Sequence, residues 1–327
     1  MDILSADSLP WLKASKQTMR AALQAGRLPH SLLLLSVPGL GAEQLANWIA
    51  ALALCESAGP RPCNACPSCR LLHSDSHPDV HHVRLEEDAQ QIKVDQVRDL
   101  IESLALKSYR GGYKLGIIEG AEALNANGAN AFLKTLEEPS ADTLLILIAR
   151  PNHRLPATIA SRCLRMHLRV PPAADAIAWL RANSPAEHAW EPALALAGGA
   201  PLLALQLDAE GLAALDADMR QSIGELADGS VDITLLADRW VRSNPGVRIT
   251  WLENWITQRV HASLGSGTSH QSAEPVRLPA ALLKPKIRAL FELLDAAREL
   301  RRLAATGMNQ QLAIEALLVG GRSALGK

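Results

Sequence analysis

The chain has 327 residues, of which 48% are hydrophobic and 20% are charged. A chain of this length predicts two or three domains, and this composition excludes a mostly disordered protein. Lys and Arg total 33 against 34 for Asp and Glu, a formal net charge of −1. Proteins that bind nucleic acid unaided usually carry a positive surplus, so we expect any DNA contact to be local or shared with other subunits.

The sequence shows no pattern typical of a membrane segment or an export signal. No stretch approaches the roughly 18 consecutive apolar residues of a membrane span. The segment MDILSADSLPWLKASKQ lacks the basic start and the apolar middle of a signal peptide. We therefore expect a cytoplasmic protein that makes no membrane contact.

In the first half of the chain, short apolar runs alternate with helical patterns, which is typical of βα units around a parallel sheet. Helices are predicted at 42–55 and 96–106. Strands are predicted, in chain order, at 31–35, 80–85, 114–118, 143–149 and 164–170. Pro171-Pro172 ends this pattern, and the remainder of the sequence is typical of helices. A polar loop rich in Gly and Ser at 265–279 interrupts that helical part, and no role is assigned to it.

The turn after the first strand, SVPGLGAE at 36–43, resembles a phosphate-binding loop that has lost its chemistry. Gly39 and Gly41 keep the turn, but Ala42 stands where the phosphate-binding Lys belongs. Glu43 adds a carboxylate where the loop needs a Ser or Thr, and a reversed unit charge at close range costs a few kcal/mol at an effective dielectric of ~20. An ordinary strand-to-helix turn is the alternative interpretation.

The third predicted strand ends in IIEGAE, where an active ATPase has an adjacent Asp-Glu pair that holds Mg²⁺ and polarises water. Glu119 could stand for the first acid, but Gly120 replaces the second. Two separate positions have therefore lost groups that hydrolysis requires, and we expect no ATP to bind.

Four of the five cysteines follow the spacing C-x₇-C-x₂-C-x₂-C, at Cys55, Cys63, Cys66 and Cys69. In a reducing compartment this clustering favours a metal over disulfides, and four thiolates suit a tetrahedral structural Zn²⁺. The alternatives are an iron–sulfur cluster, no metal, or a zinc site in which one cysteine is replaced by a nearby histidine, from His73, His77, His81 and His82.

Several motifs together point to one family. The segment NAFLKTLEEP at 130–139 predicts a helix that its proline ends. Together with Ser161-Arg162-Cys163, the four-cysteine insert and His77-Pro78-Asp79, it resembles the bacterial AAA+ clamp-loader subunits of DNA polymerase III. The resemblance extends over the whole chain, and residues 307–318 are similar to the last helix of the family's collar domain.

The resemblance implies an α/β plus all-α fold of three domains. It predicts a RecA-like AAA+ domain at 1–170 with a zinc insert at about 55–73, a small helical lid domain at 171–207, and a helical collar domain at 208–327. In this family the Arg of Ser-Arg-Cys reaches the nucleotide of a neighbouring subunit, so Arg162 is the expected arginine finger acting in trans.

The motor subunits of the family, gamma and tau, keep the Lys and Thr of the phosphate loop, so Ala42, Glu43 and Gly120 indicate a subunit that does not hydrolyse ATP. The resemblance implies an accessory subunit of the polymerase holoenzyme, not an enzyme by itself. Its partners would be the gamma/tau and delta subunits and, through the complex, the sliding clamp and primed DNA. Its one cofactor would be structural zinc.

Two other functions stay open from the sequence. An active P-loop ATPase motor is contradicted by Ala42 and Glu43, and nucleotide turnover by the isolated chain would support it. A zinc-dependent nucleic-acid-binding module needs a basic surface, which the net charge of −1 poorly provides.

Overall fold

The structure is a computed structural model. It describes residues 6–86, 89, 91–151, 155–184, 190–209, 211–243, 245–264, 283–303 and 309–326. The loop at 265–279 lies outside these residues. The chain forms two compact units, the first of Met1–Ala186 with Gly199–Leu203 and the second of Glu187–Gly198 with Ala204–Lys327. The three-domain division at 170 and 207 stays a prediction.

A five-stranded, fully parallel sheet is the centre of the first unit. Its strands are β1 Ser31–Leu35, β2 Val80–Val83, β3 Lys114–Glu119, β4 Thr143–Ala149 and β5 Leu164–His167. They lie in the order β2-β3-β4-β1-β5. The predicted parallel sheet is confirmed, and the apolar runs of β1 and β4 pair directly, from Ser31 opposite Leu145 to Leu35 opposite Ala149. Strands covered on both faces are expected to be continuously apolar in this way.

The described residues of the first unit also form seven helices: α1 Lys13–Gln24, α2 Ala42–Leu54, α3 Pro67–His73, α4 Val94–Ala105, α5 Ala126–Glu137, α6 Ala157–Ala160 and α7 Ala173–Asn183. Short 3₁₀ turns occur at 6–8, 10–12 and 121–123. The predicted helix at 42–55 is confirmed to within one residue.

Three predicted boundaries were wrong by two or three residues, each for a local reason. The strands predicted to reach Leu85 and Val170 end at Val83 and His167. Both are edge strands with a single neighbour: β5 ends level with the last residue of β1, and the pairing of β2 ends opposite Ile118, one residue before β3 ends. The helix predicted from Gln96 begins earlier, at Val94, because the side chain of Gln96 accepts a hydrogen bond from the backbone N–H of Lys93.

The hydrophobic core lies between the sheet and helices α4 and α5. Leu33, Ile118, Leu145 and Leu147 of the sheet pack there against fully buried side chains of the two helices, among them Val97, Leu100, Leu104, Phe132 and Leu136. Gly116 of β3 allows the close approach, since a Cβ at this position would lie 3.1 Å from methyl groups of both Leu100 and Leu104. Burial of this kind stabilises the fold by about 25 cal/mol per Å² of apolar surface.

The second unit is helical throughout its described residues, as predicted. Its helices are α8 Trp190–Leu196, α10 Leu212–Asp228, α11 Ile233–Arg242, α12 Pro245–Leu264, α13 Leu283–Leu303 and α14 Gln310–Leu325. Helix α9, Pro201–Ala209, begins in the first unit and ends in the second. Trp190 and Trp240 are fully buried. None of the described helices combines the length and apolar character needed to cross a bilayer.

Candidate functional site

The degenerate phosphate loop connects β1 to α2 at the carboxyl edge of the sheet, where ligands of open α/β sheets bind. Gly39 and Gly41 have φ angles of 81° and 85°, in the left-handed region that favours glycine. Helix α2 begins at Ala42, which is buried, and Glu43 in its first turn is exposed. The loop therefore has the glycine conformation of a phosphate-binding turn, with a methyl group at the lysine position.

Protein contacts hold this loop on two sides. The indole Nε1 of Trp11 donates a 2.8 Å hydrogen bond to the carbonyl oxygen of Leu40. A Cβ on Gly41 would lie 2.6 Å from the Cδ1 of Leu9, which is fully buried. The loop thus rests on apolar side chains from the residues that precede α1.

The first turn of α9 contacts the loop from another direction. The backbone N–H of Leu202 donates to the carbonyl oxygen of Gly39 at 3.1 Å. A Cβ on Gly39 would lie 2.4 Å from the Cβ of Leu203 and 2.6 Å from its backbone nitrogen. This contact was not predicted: Pro201, two residues after the pair Gly198-Gly199, is typical of a helix start, but no sequence pattern indicates where that helix packs.

The remaining acid of the third strand is held by cations. Glu119 ends β3, and its Oε1 accepts a 2.8 Å hydrogen bond from the Nε of Arg84 and lies 3.3 Å from the Nδ1 of His82. Gly120 follows with a φ of 71°. The next acid, Glu122, lies 3.5 Å from the Nε of Arg150. Both carboxylates at this strand end therefore have cationic partners from the same chain.

Burial alone would raise the pKa of Glu119. The hydrogen bonds and positive charge of His82 and Arg84 outweigh that effect and hold its pKa below the usual value of 4.5. The group is therefore a carboxylate at neutral pH, with its charge satisfied within the fold.

The structure brings the four predicted cysteines together. The sulfur atoms of Cys55, Cys63, Cys66 and Cys69 all lie within 4.8 Å of one another. Four thiolates around one Zn²⁺ at about 2.3 Å lie roughly 3.8 Å apart, so the cluster has the size of such a site. Backbone N–H groups of residues 63, 66 and 69 each donate to the sulfur of the preceding cysteine of the four, at 3.3–3.5 Å. The cluster could bind zinc.

Neighbouring groups give the four thiols different acidities. Hydrogen bonds from the backbone N–H groups of Ala65 and Cys66 lower the pKa of Cys63 to about 6. Burial raises the pKa of Cys69 to about 12 and also raises that of Cys55. For Cys66, burial acts in the same direction but backbone hydrogen bonds outweigh it, and its pKa is lowered. A bound divalent cation would stabilise all four as thiolates.

The candidate histidines lie outside this cluster. His77 is buried; its Nε2 lies 3.3 Å from the hydroxyl of Ser68 and its Nδ1 accepts from the backbone N–H of Asp79. His82 faces Glu119, and His73 is exposed at the end of α3. Burial lowers the pKa of His81. The geometry therefore favours cysteine sulfur at all four positions.

One ion pair, between Glu56 and Arg110, joins the cysteine segment to the α/β domain, and hydrogen bonds surround it. The hydroxyl of Ser68 donates to Glu56 at 2.6 Å, and Arg110 reaches the same carboxylate oxygen at 2.7 Å. The carboxylate of buried Asp79 accepts from the hydroxyl of Ser108 and from the backbone N–H groups of Tyr109 and Arg110. The cysteine segment is therefore bonded, through Glu56 and Arg110, to the loop before β3.

Arg162 lies between α6 and β5, at the amino edge of the sheet. Its Nε donates to the Oε1 of Glu137 at 2.7 Å, its Nη2 contacts the same oxygen, and its Nη1 donates to the carbonyl oxygen of Thr158 at 2.9 Å. The hydroxyl of Ser31 donates to the carbonyl oxygen of Arg162 at 2.7 Å. The side chain is 35% exposed. Burial raises the pKa of the adjacent Cys163 to about 11, so this thiol is neutral.

The parallel sheet, the glycine turn after β1 and the acid that ends β3 define a RecA-like α/β fold. A protein-family model described as DNA polymerase III, delta subunit, matches residues 11–172. The chain is 34% identical to the DNA polymerase III subunit delta' of Pseudomonas aeruginosa, over 96% of this chain and 97% of that relative. It is 30% identical to subunit delta' of Yersinia pestis, over 97% and 96% respectively. The chain belongs to the DNA polymerase III delta' family.

A relative with a different subunit name also matches, over a shorter region. Subunit tau of Salmonella typhimurium is 33% identical over 148 residues, which are 45% of this chain and 23% of that protein. The relatives aligned over nearly the whole chain carry the delta' name. The resemblance to clamp-loader subunits of bacterial DNA polymerase III is confirmed.

The ion pairs of Glu119 generate a prediction about pH. Because the folded-state pKa lies below the unfolded value, the stabilisation is present above about pH 4.5 and is lost as the pH falls through the folded-state pKa. We expect Glu119→Gln to lower the free energy of unfolding by about 1–2 kcal/mol at pH 7. Urea denaturation at pH 7 and at pH 3 measures the loss, which should shrink at pH 3.

The matched control is Glu102→Gln, which changes an exposed carboxylate of α4 and should alter stability by less than about 0.5 kcal/mol. A loss of the same size at both pH values would contradict the account of Glu119.

Proposed function

We propose that this chain is a clamp-loader subunit that neither binds nor hydrolyses ATP and that supplies Arg162 to the nucleotide site of a neighbouring subunit. The observation that carries the proposal is a glycine turn without its lysine, combined with a strand-end carboxylate that is already paired within the chain. Ala42 replaces the lysine at the start of α2, and Glu119 is already paired with Arg84 and His82. The subunit would act by assembly and contribute no bond-making chemistry of its own.

Three features argue against a nucleotide in this chain. Without lysine, the loop offers no cation to the β- and γ-phosphates. Glu43 adds a negative charge in the first turn of α2, where the helix dipole would otherwise favour phosphate. The Glu119 carboxylate, which would hold Mg²⁺, would first have to leave Arg84 and His82.

The first test is calorimetric titration of the purified chain with ATP and Mg²⁺. We expect no heat of binding at millimolar nucleotide, because the loop lacks the lysine that neutralises the phosphates. A gamma/tau motor subunit titrated under the same conditions is the positive control. A micromolar Kd for this chain would overturn the non-motor assignment and support the ATPase alternative.

The position of Arg162 supports action in trans. Ser31, whose hydroxyl holds the Arg162 carbonyl, is the first residue of β1, and the phosphate loop follows the last residue of the same strand. Five residues of parallel strand span roughly 16 Å, which is farther than an arginine side chain reaches. Arg162 therefore lies at the opposite edge of the sheet from its own loop, which supports the proposal that it contacts a nucleotide of another subunit. Its planar fork suits charge on a transferred phosphoryl group.

The arginine is tested in a loader reconstituted with motor and delta subunits, by DNA-stimulated ATP hydrolysis in a single turnover. Arginine fingers contribute roughly 10³–10⁵ in rate. We therefore expect Arg162→Ala to remove the product formed at the one adjacent site, while assembly of the complex is retained. The matched control is Arg165→Ala, which changes a nearby exposed arginine of β5. An unchanged amount of product from a loader that carries Arg162→Ala would contradict the proposal.

We further propose that the cysteine cluster holds one structural Zn²⁺. Four sulfurs at the right separation, with backbone N–H groups that stabilise negative charge on three of them, support this assignment. With every ligand position filled by the protein, the ion would leave no site for substrate water. It would instead hold the excursion between α2 and β2 in one conformation.

Metal analysis and thermal unfolding test the zinc site. We expect one zinc per chain, lost with Cys63→Ser together with a lowered Tm, because structural zinc contributes on the order of 10 kcal/mol to local folding. Cys163→Ser removes the fifth cysteine, outside the cluster, and should leave the zinc content unchanged. Iron with visible absorption, or a metal-free chain with an unchanged Tm, would contradict the assignment.

The partners follow from the same proposal. A non-motor subunit needs gamma/tau subunits to bind ATP and a delta subunit to complete the loader, and it would contact the sliding clamp and primed DNA through that complex. The helices after residue 170 would supply a small lid domain to about 207, followed by a collar domain that joins the subunits. The near-neutral charge of the chain agrees with shared DNA contacts.

A further inference from the structure

The guanidinium of Arg162 is fixed by contacts within its own chain, and Glu137 makes the largest share of them. We propose that Glu137 is a positioning residue: its carboxylate orients the Arg162 guanidinium for the nucleotide of the neighbouring subunit. This inference rests on the proposed role of Arg162 and adds to it the residue that sets the direction of the side chain.

The contacts define the plane of the guanidinium. Nε and Nη2 both reach the Oε1 of Glu137, and Nη1 donates to the carbonyl oxygen of Thr158 at 2.9 Å. An arginine side chain has several rotatable bonds, and a planar fork held on two sides keeps one arrangement of them. The Glu137 carboxylate therefore holds the Arg162 side chain in one orientation before a nucleotide binds to the neighbouring subunit.

The groups that hold Arg162 stand on rigid elements. Glu137 is the last residue of α5, which is anchored in the core by the fully buried side chains of Phe132 and Leu136. Thr158 belongs to α6, and α5 and α6 pack against each other. Ser31, which is itself buried, holds the Arg162 peptide from β1. Side chains positioned by helices and strands keep their geometry better than side chains on loops.

Folding stability does not explain the ion pair between Arg162 and Glu137. The side chains of Arg162 and Glu137 are 35% and 49% exposed, and ion pairs this accessible to solvent contribute little to folding. A positioning role predicts instead that removal of the carboxylate affects turnover, since small displacements of a catalytic group can lower rates by up to about 10²-fold. Glu137→Gln should therefore fold normally and act on the neighbour's chemistry.

The experiment measures ATP hydrolysis by the reconstituted loader, in a single turnover of the site next to this subunit. We expect Glu137→Gln to lower the rate constant of that site about 10-fold while its KM for ATP changes less than about twofold. Glu137→Asp, which keeps the charge, should recover part of the rate. The matched control is Glu138→Gln, one residue further on and exposed.

A double variant separates positioning from a general structural effect. In an Arg162→Ala background, Glu137→Gln should cause no further loss, because its effect passes through the arginine. A full effect in that background, an unchanged rate in the single variant, or a faster rate would each overturn the inference. If Arg162→Ala itself changes nothing, the proposed function fails, and that outcome is distinct from a failure of Glu137 alone.

Discussion

The hydrogen-bonded position of β1 between β4 and β5 determines where both candidate features lie. Parallel pairing with β4 runs from Ser31 to Leu35, and pairing with β5 runs from Leu32 to Leu35. The carboxyl end of this strand leads into the glycine turn, and its first residue holds the peptide of Arg162. The length of β1 thus separates the glycine turn at 36–43 from Arg162. That separation is the physical reason for the proposal that Arg162 contacts a nucleotide of a neighbouring subunit.

The altered phosphate loop has kept its shape because protein contacts support it. Trp11 bonds to the carbonyl oxygen of Leu40, and the start of α9 bonds to that of Gly39. These contacts hold the loop within the protein fold and involve no phosphate. The same logic applies to Glu119, whose charge is satisfied by His82 and Arg84.

The cysteine segment, which lies between α2 and β2, is joined to the loop before β3 by side-chain contacts. Its own N–H···S bonds shape the cluster, while Ser68 and Arg110 share the carboxylate of Glu56. Through Asp79, the loop at 108–110 is tied to the start of β2. A structural metal here would stiffen the edge of the α/β unit that carries β2, which is otherwise a short edge strand.

Sequence patterns predicted most of the first unit because its strands are continuous apolar runs and its turns carry glycine or proline. The strand at 143–149 was predicted residue by residue, whereas the interpretation of Ala42 as a lost phosphate-binding lysine stays a prediction. Contacts between distant segments could not be predicted. The contacts of Leu202 with Gly39 and of Glu137 with Arg162 leave no periodic pattern in the sequence. Strand ends were overestimated at Leu85 and Val170, because an apolar pattern does not reveal where a neighbouring strand stops. The role of Arg162 came from family resemblance, and its geometry came from the fold.

The most direct measurement of the central claim is a cryo-electron microscopy map of the assembled loader with a non-hydrolysable ATP analogue. The account predicts no nucleotide beside residues 36–43 of this chain, and the Arg162 guanidinium within about 3 Å of a γ-phosphate held by the adjacent subunit. Nucleotide density in this chain's own loop, or Arg162 directed away from every phosphate in the complex, would contradict it.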